Sequence, residues 1–428
     1  MIKTANPNKL YLIIIAITLA VNNIFIGYKI MGISFDRILL GVLFVISLKS
    51  FLYDIKTNKY LRLVVIFFII FFALNLLKSS YLVLACDEYN ISNMIRSSFR
   101  ILTMLIFFYL SFFLISRSSN YRLFKYMLFI LFLAFLLAFF QSYLTPFTEI
   151  ANKIINFFFS VNMDENMSEL IASNIEYGST WELRTTGPYG STITLSYALA
   201  SAGLLSTYLY KKTEEKIYIY MLLFILVVAV LSMTRSVIIT QIILVFYSMF
   251  SVKNRLGKLV ITLAILIMPY LFYLYLDSFE RVLDLNETSA SGKIPLIITA
   301  IYALLLSPLG VCSTIYEEAR HFMYEIFHTE EILKYTAHNG IVNIGFEYTV
   351  IGYLLFFYFF YLLFKASKKL RKSDRKLWVA LIVAYFFQQS FHNMGLFVGD
   401  FPVLLILALY IFDISLSKNY KNRSVSGG

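Results

Sequence analysis

Charged side chains are scarce in this sequence of 428 residues. Asp, Glu, Lys and Arg make up 14% of it, whereas hydrophobic residues make up 59%. A typical soluble domain carries about 25% charged residues. A chain with a mean hydropathy of +0.74 would expose large apolar patches in water. The composition therefore excludes an ordinary soluble domain and indicates a protein that is embedded in lipid.

Cysteine and recognisable cofactor motifs are also rare. Cys86 and Cys312 are the only cysteines, too few for a disulfide framework or a zinc site. We expect both as free thiols, because nothing in the sequence brings their segments together. The sequence contains neither a nucleotide-binding P-loop nor a dinucleotide fingerprint. His321, His328 and His338 lie in one acidic segment, but their spacing is not that of metal ligands. We therefore expect no metal and no other cofactor.

Long apolar runs predict an all-α, polytopic transmembrane helical bundle with about twelve spans. The predicted spans are residues 10–27, 33–48, 61–77, 99–115, 123–144, 191–210, 217–233, 236–251, 258–276, 341–364, 377–391 and 401–416. Together they predict a single integral membrane domain over 1–428. Two long loops, 145–190 and 277–340, interrupt the pattern.

The second long loop contains an apolar run, 294–306, that is too short to cross about 30 Å of hydrocarbon. Pro295 lies at its start and Pro308 follows its end. This pattern predicts a helix that lies in the membrane interface or re-enters the membrane without crossing it.

The basic residues predict the orientation of the chain. The net charge of +12 does not indicate nucleic-acid binding, because the basic residues cluster in short segments between the apolar runs. Of the 37 Lys and Arg residues, 25 lie on the side of the N-terminus, with only five of the 25 acidic residues. The positive-inside rule then places both termini in the cytoplasm and both long loops in the periplasm of a bacterial inner membrane. The densest basic segment is 365–376.

Polar side chains within the spans gather at the predicted outer ends. Asn339, Asn343 and Glu347 are spaced to share one helix face, and Gln388 and His392 are also four residues apart. Polar groups at membrane depth usually face the bundle interior or a water-filled cavity. We therefore expect a cavity that is open to the outer face and closed to the cytoplasm. The alternative is that these span ends simply lie near water.

Three short motifs carry the functional signal. The first is Arg184-Thr-Thr-Gly-Pro-Tyr-Gly-Ser191 and the second is Ser232-Met-Thr-Arg235-Ser236. The third is Leu309-Gly310, followed by His338-Asn339-Gly340. An arginine at a turn between apolar helices needs a partner. The partner is either a structural ion pair or an anionic ligand on the outer side.

The order of these motifs resembles the O-antigen polymerase and ligase superfamily, and the Wzy-type polymerases above all. The resemblance covers about residues 170–400, and the matching positions in order are Arg184 with Gly187, Arg235 with Ser236, Gly310, His338-Asn339 and Glu347. It implies a GT-C-like helical bundle whose two long periplasmic loops carry short helices.

The resemblance also implies a membrane glycosyltransferase reaction. A growing glycan would move from its undecaprenyl-diphosphate carrier to the next lipid-linked repeat unit, without a metal. The implied site residues are Arg184, Arg235 and Arg320 for the diphosphate, His338 or Glu347 for the acceptor proton, and Asn339, Asn343, Gln388 and His392 for the substrate cavity. The expected partners are the glycan donor and acceptor, membrane lipid and a chain-length regulator protein, but no nucleic acid.

Two other functions remain open at this point. An O-antigen ligase would transfer the finished glycan to lipid A-core and shares the His-Asn element. A lipid-linked oligosaccharide flippase or another secondary transporter is the alternative from a different class. Transporters often show repeat symmetry between their halves and carry charges near the midplane. The sequence shows neither feature.

Overall fold

A computed structural model of the chain describes residues 8–22, 24, 29–30, 33–86, 90–118, 121–142, 146–159, 185–232, 234–249, 293–334, 337, 339–390, 392 and 394–425. Almost all of these residues are α-helical, which confirms the predicted all-α class. Two short strands, β1 (Lys29–Ile30) and β2 (Ile33–Ser34), form one antiparallel pair between the first two helices.

The helices follow the apolar runs of the sequence. In chain order they are α1 (Lys9–Ala20), α2 (Phe35–Thr57), α3 (Lys59–Ala85), α4 (Ile91–Arg117), α5 (Arg122–Gln141), α6 (Thr148–Phe159), α7 (Thr192–Thr213), α8 (Ile217–Leu231), α9 (Arg235–Met249), α10 (Lys293–Leu306), α11 (Ser313–Phe327), α12 (Glu331–Lys334), α13 (Gly340–Ser367), α14 (Lys372–Gln389) and α15 (Phe401–Val425).

The number of membrane spans remains a prediction. Eleven of the twelve predicted spans coincide with a helix, and the ninth, 258–276, lies outside the described residues. Among the described helices, α2, α3, α4, α5 and α13 are long and apolar enough to cross a membrane. The other predicted spans include shorter apolar helices such as α8, whose 15 residues extend only about 22 Å.

Polar N-cap side chains determine where several helices begin. Asn58 separates α2 from α3, and its Oδ1 accepts hydrogen bonds from the backbone N–H groups of Tyr60 and Leu61. Asn90, Ser191 and Asn339 act in the same way at the starts of α4, α7 and α13. These side chains satisfy backbone donors that a helix leaves without a partner in its first turn. The sequence thus encodes the ends of these helices as well as their apolar bodies.

The helix α15 lies in the middle of the bundle. It packs most extensively against α4 and also contacts α7 and α3. Its side chains Leu404, Ala408, Leu409 and Ile411 are completely buried. A helix that is buried on most of its faces needs an apolar sequence all round. This explains why the run after Phe401 shows no amphipathic pattern.

Ion pairs connect the helices at one end of the bundle, which we call the basic end. It comprises the ends of α2, α4, α7 and α13 and the starts of α3, α5, α8 and α14. The pairs are Arg117–Asp54 at 2.9 Å, Lys125–Glu215 at 2.5 Å, Lys212–Asp374 at 3.0 Å and Lys212–Asp413 at 2.9 Å. These contacts hold the helices together at the end where most of the basic residues lie.

Asp413 is the centre of this network and gives a test of its contribution to stability. Its carboxylate also accepts hydrogen bonds from Tyr208 Oη at 3.0 Å and Trp378 Nε1 at 3.2 Å. Breaking a buried ion pair from one side costs about 3 kcal/mol or more. We expect Asp413→Ala to lower the melting temperature of the detergent-solubilised protein. Glu149→Ala is the control, because the Glu149 side chain is 81% exposed, and equal melting temperatures for both variants would contradict this role of Asp413.

The short helix predicted in the second long loop is present as α10. Near its end, Leu304 packs against Gly345 on α13. The Pro308 carbonyl after the helix accepts a hydrogen bond from Val350 N at 3.3 Å. The chain therefore runs along the first half of α13 and turns at Pro308. Whether α10 lies in the interface or re-enters the membrane stays a prediction.

The prediction of free cysteines is wrong. Cys86 and Cys312 form a disulfide, with their Cα atoms 5.9 Å apart. The turn after α10 packs against the end of α3, where a Cβ at Gly310 would lie 3.1 Å from Leu82. This packing brings together two cysteines that are 226 residues apart in sequence. Only the tertiary structure could reveal it.

Candidate functional site

Apart from Arg320 on α11, the predicted site residues that the structure describes lie at the end of the bundle opposite the basic end, which we call the polar end. It comprises the starts of α4, α7, α9, α13 and α15 and the ends of α3, α5, α8 and α14. Arg184 and His338 lie outside the described residues. The predicted site residues that the structure does describe are Arg235, Arg320, Asn339, Asn343, Glu347, Gln388 and His392.

His392 connects three parts of the polar end. Its Nε2 lies 2.5 Å from Ser236 Oγ on α9 and 3.3 Å from Ser196 Oγ on α7. The Tyr197 ring packs against the imidazole, with the ring centres 5.1 Å apart. Gln388 lies one turn earlier, and its Nε2 is 3.5 Å from Ser196 Oγ. We call these five residues the His392 cluster.

Arg235 lies next to the His392 cluster. This arginine is the first residue of α9, and the adjacent Ser236 is the one that contacts His392. The start of a helix carries partial positive charge and favours anions. Arg235 and the start of α9 therefore both lie at the polar end, and both suit a phosphate group.

The first motif lies beside the second one. Thr185, directly after Arg184 in the sequence, donates a backbone hydrogen bond to the Leu231 carbonyl at the end of α8. Gln141 Oε1 at the end of α5 accepts hydrogen bonds from Thr186 N and Gly187 N at 2.9 and 2.7 Å. Gly187 has a φ of +56°, and a Cβ there would meet Ala138. The motif needs glycine at this position because the turn is left-handed and tightly packed.

The start of α13 joins the third motif to the same region. The Asn339 side chain caps the helix and donates from Nδ2 to the Ser390 carbonyl at 3.2 Å. A Cβ at Gly340 would lie 2.5 Å from Gln389 Oε1 and 2.7 Å from the Met394 carbonyl. Only glycine allows α13 to approach the loop 390–400 this closely. Asn343 lies one turn further along α13.

Gly340→Ala tests this close approach. The added methyl group would displace Gln389 or the Met394 backbone, and such overpacking costs about 1–3 kcal/mol. We expect a lower melting temperature than that of the wild type. Gly41→Ala on α2 is the matched control, because no atom from another part of the fold lies within 4 Å of its Cβ position. A Gly340→Ala protein as stable as the Gly41→Ala protein would contradict the close contact.

Glu347 belongs to a second polar cluster that the sequence did not predict. Its Oε2 forms an ion pair with Arg100 Nη2 on α4 at 2.6 Å. Asn75 on α3 donates from Nδ2 to the Glu347 carbonyl at 3.3 Å and accepts from Ser97 Oγ at 2.9 Å. Lys78 follows Asn75 by one turn on α3, on the same side of the helix. We call Asn75, Lys78, Ser97, Arg100 and Glu347 the Glu347 cluster.

The helix α13 is broken directly after Glu347. Tyr348 and Thr349 have non-helical backbone angles, with a φ of +68° at Thr349. The predicted stripe Asn339, Asn343, Glu347 therefore ends at a break, and its first member is the cap rather than part of the helix. A charged residue in an apolar span was the only sequence signal for Arg100, because its partner is distant in sequence.

The segment 394–400 contacts both clusters. On the His392 side, Met394 N donates a hydrogen bond to Tyr197 Oη at 2.9 Å. On the other side, a Cβ at Gly399 would lie 3.7 Å from Arg100 Cδ. Asp400 closes the loop and accepts hydrogen bonds from Gln389 Nε2 and Val403 N. Burial raises the pKa of the Asp400 carboxyl to about 7.

Arg320 lies on α11 and has partners on its own helix. It forms an ion pair with Glu317, and its guanidinium carbon lies 4.7 Å from the centre of the Tyr316 ring. Tyr316 contacts Phe346, the residue before Glu347, edge to face at 5.7 Å. A role for Arg320 in diphosphate binding stays a prediction.

The fold and the polar end first define a class. Five described helices are apolar and long enough to cross a membrane, and buried polar side chains from several helices meet at one end of the bundle. The chain is a helical membrane protein. Within the described residues, no three His, Cys, Asp or Glu side chains form a group that could hold a metal ion.

A family comparison then narrows the class. Residues 220–357 match the Wzy_C family model, described as O-antigen ligase. The matched segment contains Arg235, Asn339 and Glu347. It confirms the resemblance to the O-antigen polymerase and ligase superfamily and indicates polymerase or ligase activity, without separating the two. No curated protein and no solved structure matches the chain.

Proposed function

We propose that the protein polymerises undecaprenyl-diphosphate-linked oligosaccharide repeat units into O-antigen-type or capsular polysaccharide. The reaction takes place at the periplasmic face of the bacterial inner membrane. The observation that carries this proposal is the meeting of the family-like motifs at one end of the bundle. The backbone hydrogen bond from Thr185 N to the Leu231 carbonyl, which joins the first motif to the residue before the second, is the clearest example.

Two independent features support a periplasmic position of the polar end. The basic residues gather at the opposite end, and such residues mark the cytoplasmic side. The disulfide between Cys86 and Cys312 lies at the end of α3 that belongs to the polar end. Disulfides persist in the periplasm and are rare in the cytoplasm. Both termini are then cytoplasmic.

Topology reporters test this orientation. We expect fusions after Ser168 and after Glu325 to read periplasmic, because both positions lie in the long loops. Fusions within 366–375 should read cytoplasmic, because this segment carries the densest basic charge. A cytoplasmic signal at Glu325 would mean that α10 crosses the membrane and that the orientation of the later helices is reversed.

The arginines stabilise the negative charge of the leaving diphosphate. The acceptor hydroxyl oxygen attacks the anomeric carbon, the bond from that carbon to the diphosphate oxygen breaks, and undecaprenyl diphosphate leaves with the electron pair. Arginine suits this step because its planar fork binds two phosphate oxygens and stays protonated. Arg184 and Arg235 are assigned to this diphosphate, with Arg320 as a further candidate.

A base must take the proton of the acceptor hydroxyl. His338 and Glu347 are the two candidates. The Glu347 carboxylate is engaged with Arg100 at 2.6 Å and would have to leave this ion pair to accept a proton. His338 is therefore the stronger candidate of the two. Asn339, Asn343, Gln388 and His392 are assigned to the cavity that holds the sugars.

Reconstitution of the purified protein tests the proposed reaction. Proteoliposomes that receive only undecaprenyl-diphosphate-linked repeat units should produce a ladder of glycans on the carrier lipid. A product that forms only when lipid A-core is added would identify a ligase, the second candidate named by the family model. Movement of the lipid across the bilayer without a new glycosidic bond would identify a flippase. A chain-length regulator protein, the other proposed partner, should change only the distribution of ladder lengths.

A further inference from the structure

The Glu347 cluster contains positively charged residues that are not assigned to the donor diphosphate. Arg100 pairs with Glu347 at 2.6 Å. Lys78 follows Asn75 by one helical turn on α3, and Asn75 Nδ2 donates to the Glu347 carbonyl, so that two cations lie near this single carboxylate. The side chains of Arg100 and Glu347 are 29% and 24% exposed, so the pair is only partly buried. An ionisable group within a membrane bundle is by default a candidate for a functional role.

Both cations of the cluster lie near the polar ends of their helices. The helices α3 and α4 each have 27 residues. Each is about 40 Å long and exceeds the hydrocarbon thickness by about 10 Å. Lys78 lies about 10 Å before the end of α3, and Arg100 lies about 14 Å after the start of α4. With the excess length at the polar end, both long side chains can reach the lipid headgroups.

The break in α13 positions Glu347, and hydrogen bonds from neighbouring segments stabilise it. The backbone groups that the break releases have partners: Asn75 donates to the Glu347 carbonyl, and Val350 N donates to the Pro308 carbonyl. Tyr348 Oη donates to the Phe397 carbonyl. Partners from three segments hold Glu347 against Arg100. A lipid-facing break without such partners would be unstable in hydrocarbon.

We propose that Lys78 and Arg100 form a second diphosphate site, which binds the carrier lipid of the acceptor. This inference rests on the proposed function. A polymerase joins two lipid-linked glycans and must hold two carrier diphosphates at the same face. The segment 394–400 lies between Tyr197, in the cluster next to Arg235, and Arg100 in the Glu347 cluster. Glu347 orients the Arg100 fork and balances its charge until phosphate oxygens replace the carboxylate.

The number of bound carrier lipids tests the second site. Undecaprenyl diphosphate is the probe, and native mass spectrometry of the purified full-length protein counts the bound molecules. We expect two molecules on the wild type and one on Lys78→Gln, which leaves the Arg100–Glu347 pair intact. The double variant Arg100→Gln/Glu347→Gln should also bind one, and it removes both partners of the ion pair together. The affinity of the second site should fall at least about tenfold, as expected for a lost ionic hydrogen bond.

Two further variants separate the sites. Arg235→Gln should also bind one molecule, and combining it with Lys78→Gln should remove both. Lys153→Gln is the charge control, because this side chain is 74% exposed on α6, and it should bind two molecules. Two molecules on both Glu347-cluster variants would overturn the second site.

Competition with phosphatidylglycerol distinguishes a site for the carrier diphosphate from a site for an ordinary lipid phosphate. If phosphatidylglycerol displaces the second molecule at equal concentration, the cluster is an ordinary lipid headgroup site and the inference is wrong. Failure of the inference differs from failure of the proposed function. A wild type that makes polymer while the variants keep both lipids overturns only the second site. A wild type that binds two carrier lipids but makes no polymer contradicts the polymerase.

Discussion

Arg235→Lys should slow polymer formation by about 100-fold or more, which is the effect of losing one donor that stabilises a transition state. Lysine keeps the positive charge but presents a point charge instead of a planar fork. Arg235 begins α9, and the contact between Ser236 and His392 fixes this turn. The substituted ammonium would therefore start from the same backbone position. The rate of ladder formation in proteoliposomes measures the effect.

Comparison of Arg235→Lys with Arg235→Ala distinguishes a catalytic role of Arg235 from a structural one. Arg235→Ala should be at least as damaging as Arg235→Lys, while the amount of protein in the membrane stays normal. Arg184→Lys should behave in the same way as Arg235→Lys. Arg371→Lys is the control, because this side chain is 82% exposed at the basic end. If Arg235 served only as one partner of a structural ion pair, Arg235→Lys would hardly change the rate of ladder formation. Arg235→Ala would then lower the amount of protein in the membrane.

Replacement of the base should have the second large effect. His338→Gln and Glu347→Gln remove titration while they roughly keep the shape of the side chain. Loss of a general base lowers a rate by about 100- to 10,000-fold. We expect at least one of these variants to abolish polymerisation without loss of protein, and the ion pair of Glu347 with Arg100 favours His338.

The same experiment distinguishes two roles of Glu347. If Glu347 only orients Arg100, Glu347→Gln should weaken the binding of undecaprenyl diphosphate, and Glu347→Asp should recover part of it. If Glu347 is the base, binding should stay unchanged while the rate of glycan transfer falls. Full-length glycan from both His338→Gln and Glu347→Gln would remove both residues from the proposed mechanism.

The helices were predictable because membrane spans are encoded locally. A run of about 20 apolar residues favours a helix wherever it lies in the chain. N-cap residues such as Asn58 and Asn339 mark helix starts for the same local reason. Span boundaries were less accurate: the predicted span 99–115 forms the longer helix Ile91–Arg117, because helices extend beyond the hydrocarbon through polar residues that hydropathy does not count.

The clusters were only partly predictable because their contacts join distant segments. The sequence singled out His392 and Ser236 separately, but their contact crosses 156 positions. Arg100 had no recognisable motif, and its ion pair with Glu347 depends on the packing of both α4 and α13 against α3. The disulfide was missed for the same reason. The sequence shows which side chains cost free energy when they are placed in lipid, but tertiary packing determines how these side chains are paired.

Deletion of the gene tests the polymerase assignment most directly. The polymerase predicts surface glycan that is capped with a single repeat unit, because transfer to lipid A-core continues while chain extension stops. Expression of the wild-type chain should restore the ladder, and the Arg235→Ala chain should not. Full-length polymer that accumulates on the carrier lipid would identify a ligase, and a lack of repeat units in the outer leaflet would identify a flippase; either result would contradict the polymerase.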